Sequence, residues 1–237
     1  SGNIYKAPMP ANFLHTSINQ ANQIFVDGKM MNIARYPNTS LDISNPTYAK
    51  IERETKPMET VTADGEWGDF RRYVEDQQLS PQVTDYYKGA EVFLLPDSTA
   101  WSWTTSGTVV AQEGNQLTFK LRYAGGGDGN NGNLRVGARY YLFNLKKLLD
   151  VPGEWYHDKT ENMLYLWAPD GENPEGKVEA KKRDYAFNLN AKNYITIQGI
   201  NIFGCTITTD TLSGDGFDSW RRGSVAPSHH IIIDGIK

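Results

Sequence analysis

The stretch NYITIQGINIFGCTI (193–207) reads as strand, glycine corner, strand. Its opening half returns as HHIIIDGIK (229–237). With 194–201 set against 230–237, Ile195 meets Ile231, Ile197 meets Ile233, Ile200 meets Ile236 and Gly199 meets Gly235. Self-similarity at such a period is the signature of a repeat architecture. A strand that turns at glycine and resumes suits a parallel β-helix, whose laps stack on one another. The alternative is chance similarity of two β-branched strands. On the repeat reading, 193–207 and 229–237 form stacked parallel strands, with the matched isoleucines on the coil's inner side. DYAFNLNA (184–191) supplies a related strand of the preceding lap, and TDTLSGDGFDSWRRGSVAPS (209–228) is a loop thrust out between laps.

Upstream the pattern differs. QIFVDGKMMNIARYPN (23–38) is apolar on both sides of Asp27-Gly28, a pair suited to the positive φ angles of a tight hairpin turn. Pro37 ends its second strand. TVVAQEGNQLTFKLRY (108–123) predicts a hairpin turning near Gly114-Asn115. EWYHDKTENMLYLWAP (154–169) predicts another, turning at Lys159 to Asn162. AEVFLLP (90–96) reads as a buried strand. Residues 38–80 are polar and weakly patterned, and read as loops with a short helix or edge strands. Ser80-Pro81 predicts an N-cap with proline at the first helical position, opening a short helix through QVTDYYK (82–88) that stops at Gly89. YYLFNLKKLLD (140–150) has helical spacing. AGGGDGNNGN (124–133) is a flexible loop, lacking the Lys-Ser/Thr of a phosphate loop. Hairpins to about residue 180 imply antiparallel β packing.

The totals exclude several classes. Net charge is −4 over 237 residues, against the cationic surface that nucleic-acid binding requires. No apolar run reaches the roughly eighteen residues of a membrane-spanning helix. The opening SGNIYKAPMP has neither the basic nor the apolar region of a secretory leader. One cysteine, Cys205, excludes an intrachain disulfide framework and a cysteine-based zinc site. Its apolar surroundings predict a small core residue.

YYLFNLKKLLDVPGEWYHDKTENMLYLWAP followed by NYITIQGINIFGC resembles secreted right-handed parallel β-helix proteins active on carbohydrates, many of them glycoside hydrolases. FVDGKMMNIARYPN resembles the segment where those proteins carry an inserted β-barrel or β-sandwich domain. The resemblance implies a mainly β chain: an antiparallel β-barrel or β-sandwich domain over residues 1–180, leading into the first laps of a right-handed parallel β-helix over residues 181–237. It implies secretion or cell-surface location, and a plant-type polysaccharide partner such as xylan. In such proteins the catalytic carboxylates usually lie in later laps. The expectation is therefore a non-catalytic, carbohydrate-binding region belonging to a longer polypeptide. One alternative is the N-terminal part of a glycosidase; another is a structural or adhesion fragment.

Candidate site residues follow from chemistry. Glycoside hydrolysis needs two carboxyl groups flanking one bond, and Asp215 and Asp218 in SGDGFDSW are the local pair. A Gly/Asp turn explains the same residues. Their oxygens suit calcium, but the spacing matches no defined calcium loop, so no metal or cofactor is assigned. Sugar rings stack on aromatic faces. Trp220, among Asp218, Ser219, Arg221 and Arg222, combines an apolar platform with hydrogen-bonding groups. Trp101 and Trp103 are two residues apart and would share one strand face, either for binding or for core packing. Trp155 and Trp167 flank a hairpin and are assigned to core. His229 and His230, adjacent on a strand, should point to opposite faces and so not share an ion.

Overall fold

The computed structural model describes residues 3–10, 23–61, 69–95, 104–121, 134, 136–183, 185–209 and 228–237. The chain divides into two compact units, one of residues 1–9 and 30–176, the other of 10–29 and 177–237.

The first unit is built on an eight-stranded antiparallel sheet. Along it run Arg35–Tyr36, Arg139–Phe143, Glu91–Leu95, Thr105–Glu113, Gln116–Leu121, Asp69–Glu75 and Arg53–Val61, with Ala49–Lys50 also pairing to Arg139–Phe143. Alternation drives it. Val92 and Leu94, Tyr140 and Leu142, Leu117, Phe119 and Leu121 all face a common core, while their neighbours in sequence face outward. The hairpin at Gly114-Asn115 forms as expected, with Glu113 opposite Gln116. So does the one at 159–162, with Asp158 opposite Met163. Among the described residues no pairing closes the sheet into a barrel. A four-stranded sheet completes the unit, ordered Ile4–Pro8, Met163–Trp167, Glu154–Asp158 and Asn32–Ile33, the last pair parallel. Trp155 is core as expected, and its indole N–H donates to the Met31 carbonyl at 3.3 Å. Trp167 packs against the core.

Two expectations change here and one is met in part: Arg53–Val61 is an edge strand, while Asp69–Glu75 lies inside the sheet. The charged 50–78 segment contains two long strands, Arg53–Val61 and Asp69–Glu75. Their apolar signal is weak, and one buried position is taken by an arginine that is ion-paired. Fully buried Arg72 meets Glu54 at 2.7 Å, and Glu75 meets Arg53 at 2.6 Å. The helical spacing of 140–150 gives way to strand Arg139–Phe143 and a single 3-10 turn, Lys146–Leu148. Tyr140 and Leu142 fit the core with a period of two, and the flanking strands supply backbone partners. Finally, 81–89 forms turns instead of a helix. The buried Gln112 side chain accepts from Tyr87 N at 2.9 Å and donates to Pro81 O at 3.0 Å. One side chain from a neighbouring strand thus occupies backbone groups of this segment.

The second unit contains Ile24–Val26 paired antiparallel with Val178–Ala180. Asp27 (φ 49°) and Gly28 (φ 71°) adopt the left-handed turn expected of them. Two parallel ladders follow. Tyr185–Asn188 pairs with Thr206–Thr208, and Asn193–Gln198 pairs with His229–Asp234. In the second ladder Ile195 lies beside Ile231 and Ile197 beside Ile233, the register the repeat requires. It continues past the glycine corner, where Ile202 N donates to Lys237 O at 2.8 Å. Gly199 (φ 68°) and Gly235 (φ 60°) share one left-handed conformation. A Cβ on Gly235 would lie 3.6 Å from Gly199 N, so the corners stack directly. Burial is less complete than the inward reading requires. Ile197 is buried, Ile195 and Ile231 are half-buried, and Ile233 is 49% exposed. Two ladders are present, but no closed coil is traced among the described residues.

Cys205 lies outside any strand, partly exposed, with its thiol donating to Arg183 O at 3.1 Å. The histidine expectation also fails. His230 has φ 55°, as does Tyr194 one repeat earlier at φ 57°. A left-handed residue breaks strand alternation, and the His229 and His230 Nδ1 atoms approach to 2.7 Å.

Candidate functional site

The outward face of the large sheet carries a cluster of rings and cations. Register decides its membership. Tyr141 is opposite Phe93, and Phe143 is opposite both Glu91 and Arg35. These positions alternate with the core residues Tyr140, Leu142, Val92 and Leu94. Tyr141 and Phe93 stack with centroids 5.3 Å apart and planes at 28°. Phe143 lies 5.3 Å from Tyr141, and Tyr48 lies 6.2 Å from it. The Arg35 guanidinium carbon stands 4.1 Å from the Tyr141 centroid, and that of Arg139 stands 5.4 Å from the Tyr48 centroid. Ser106, opposite Phe93, and exposed Thr108, opposite Glu91, place hydroxyls beside the rings.

Arg35 ties this face to the neighbouring segment. Arg35 Nε donates to Pro37 O at 3.1 Å, and its Nη2 donates to Thr47 O. Both bonds fold the 37–47 segment back so that Tyr48 meets Tyr141. Burial opposes the Arg35 charge, and the Tyr141 and Tyr48 hydroxyls partly offset this. Burial raises the Tyr141 phenol above its ordinary value, and Arg35 partly counters it. Cation–ring contacts of this kind contribute about 0.5–2 kcal/mol, more where water is excluded.

Beneath it lies a buried carboxyl. Glu154 Oε1 accepts from Arg35 N at 3.2 Å and Oε2 from Asp150 N at 3.4 Å. Burial pushes Glu154 up to about 8, although those N–H donors pull it down. Burial thus favours the protonated form of this carboxyl. Its partners are backbone groups of the segments that carry Arg35 and Asp150, so it acts as a brace for them. A second buried carboxyl, Asp76, is also raised by burial and accepts from Tyr140 OH at 2.7 Å. Tyr140 is locked in the core, raised well above its ordinary value by burial and then by the Asp76 charge. Among the described residues no group of three or more His, Cys, Asp or Glu side chains is arranged to hold a metal.

The residues expected from sequence to form a site, Trp101, Trp103, Asp215, Asp218, Trp220 and Arg221, all lie outside the described residues. The 124–133 loop does too. Sequence reasoning missed the Tyr141 cluster. Its signal was the alternation in RYYLF, concealed by assigning that segment a helical period.

No family model matches the chain, and no curated protein does. A solved structure described as "Glycoside hydrolase" shares its fold, with TM-score 0.51 and 18% sequence identity. The match covers 85% of this chain and 34% of that one, so the chain spans about a third of the length of the structure it resembles.

Proposed function

We propose that this chain is a carbohydrate-binding, non-catalytic region of a secreted or cell-surface protein that degrades polysaccharide, with a plant-type glycan such as xylan as ligand. The observation that carries the reading is the Tyr141 face: half-buried Tyr141, Phe93 and Tyr48 rings clustered beside Arg35 and edged by hydroxyls. Apolar C–H faces of pyranose rings stack on such a platform, and nearby hydroxyls set orientation. Fold likeness to a structure called a glycoside hydrolase supports a carbohydrate context. Trp220, flanked by Asp218 and Arg221, is proposed as a second contact, and Trp101 with Trp103 as a third.

Affinity electrophoresis in gels containing xylan, glucan or mannan tests this, with melting temperature followed in parallel. Tyr141→Ala and Trp220→Ala should each weaken retardation by about 1–3 kcal/mol, the scale for removing a large apolar contact. Trp220→Ala should leave the melting temperature within a degree or two. Retardation unchanged in both variants would overturn the reading.

A second reading is supported by the extent of the match, which leaves about two-thirds of the solved glycoside hydrolase without a counterpart. Here the chain is one region of a glycosidase whose catalytic carboxylates lie elsewhere. Reducing-sugar release by the purified chain, lost on Asp215→Ala or Asp218→Ala, would overturn both readings by placing catalysis within it.

A further inference from the structure

We propose that His229 and His230 chelate a divalent transition-metal ion, with copper(II) preferred. The two Nδ1 atoms lie 2.7 Å apart on an exposed strand. At that separation one nitrogen carries a proton and donates it to the other's lone pair. A metal can take the place of this shared proton. The proton moves through solvent to Nε2 of the same ring, so two neutral imidazoles become two Nδ1 ligands without net loss of charge.

The close approach of the two nitrogens favours a small bite angle. With metal–nitrogen bonds of about 2.0–2.1 Å, a separation of 2.7 Å gives a bite angle of about 80–85°. Tetrahedral zinc prefers an angle near 109°, which needs nitrogens more than about 3.3 Å apart. Cis positions of a tetragonal ion fit better, which favours copper(II) and nickel(II), and copper(II) leads in intrinsic affinity. In the hydrogen-bonded pair the two nitrogens point at each other, so each exposed ring must turn by roughly 50° to aim its lone pair at a shared ion, and water can fill the other positions.

The backbone holds the pair together. His230 at φ 55° turns its ring toward His229, where an extended residue would send it to the opposite face. Tyr194 lies beside both: its ring stacks on His230 at 4.6 Å and meets His229 edge-on at 5.4 Å. Asn193 Oδ1 accepts from His229 N at 3.2 Å and fixes that residue's backbone. These contacts leave the Nδ1 atoms facing each other.

The test titrates copper(II) sulfate into the full chain, stripped of metal and held in a non-coordinating buffer. Calorimetry gives affinity, and electron paramagnetic resonance gives the ligand set. One tight equivalent is expected, with hyperfine structure from two imidazole nitrogens. His229→Gln and His230→Gln should each weaken it at least tenfold and remove one nitrogen from the spectrum. Zinc should bind at least tenfold more weakly than copper. His15→Gln should change nothing; His157, the remaining histidine, is buried. Copper binding that is unchanged in both Gln variants, or a spectrum without two imidazole nitrogens, overturns the proposal. Circular dichroism of the variants guards against misfolding, which substitutions on an exposed strand should not cause.

Discussion

The two units reach β-structure by different routes. In the first, alternation carries the work: Val92, Leu94, Leu117, Phe119, Leu121, Tyr140 and Leu142 are each almost completely buried. A shift of register by one residue would send all of them to the outer face. In the second, the Asn193–Gln198 and His229–Asp234 ladder has little burial to lock it, with Ile232 57% and Ile233 49% exposed. Its register rests on backbone features that recur at equivalent positions: left-handed Tyr194 and His230, and left-handed Gly199 and Gly235. One unit is specified by where side chains go, the other largely by where the chain turns.

Substitutions can break that contrast. The largest loss should come from Phe119→Ala in the first core, about 3–5 kcal/mol for a buried aromatic and its cavity. Chemical denaturation followed by near-UV circular dichroism would measure it, and a loss under 1 kcal/mol would mean the core is looser than described. Gly107→Ala should follow. A Cβ there would lie 2.0 Å from Lys120 O and 2.8 Å from Leu121 Cα, both backbone atoms. The paired strands must separate, at about 2–3 kcal/mol on the scale of overpacked sites.

Glu154 gives the first unit a pH signature that Glu154→Gln should remove. Its native value, about 8, stands above its ordinary 4.5. The folded state keeps a proton that the unfolded state has released, so stability should fall as pH rises from about 4.5 to about 8. The slope from this one group is at most about 1.4 kcal/mol per pH unit. Melting temperature recorded across that range should flatten in the variant; parallel curves would place the titration elsewhere.

Smaller effects test the second unit. Gly199→Ala should cost about 1 kcal/mol, because the corner has room for a methyl group but imposes a left-handed φ. Amide hydrogen exchange at residues 195–198 would report it. Ile233→Ala should stay within about 0.5 kcal/mol, as expected for an exposed side chain. A loss of 2 kcal/mol there would show that burial, not the corner, sets this ladder.

Elements whose signal is local are legible in the chain itself. Asp27-Gly28 and Gly114-Asn115 announced their turns because few residue pairs accept those backbone angles. The isoleucine and glycine matches announced the parallel pairing and its register, because a repeat carries its own alignment. The tertiary structure decided what depends on distant partners. Charged strands 53–61 and 69–75 are held by backbone pairing with one another and with Gln116–Leu121, and fully buried Arg72 finds its partner Glu54 on the neighbouring strand. The 81–89 segment forms turns whose backbone groups bond to Gln112 and Val109 on another strand. Tyr141, Phe93, Arg35 and Tyr48 lie far apart in sequence, and only strand order brings their rings together. His229 and His230 face each other because of one left-handed residue, a backbone choice that side-chain alternation does not reveal. Local torsional preference is written in neighbouring residues; register, pairing and burial are settled by contacts between segments, and the sheet surface proposed as a binding face depends on all three.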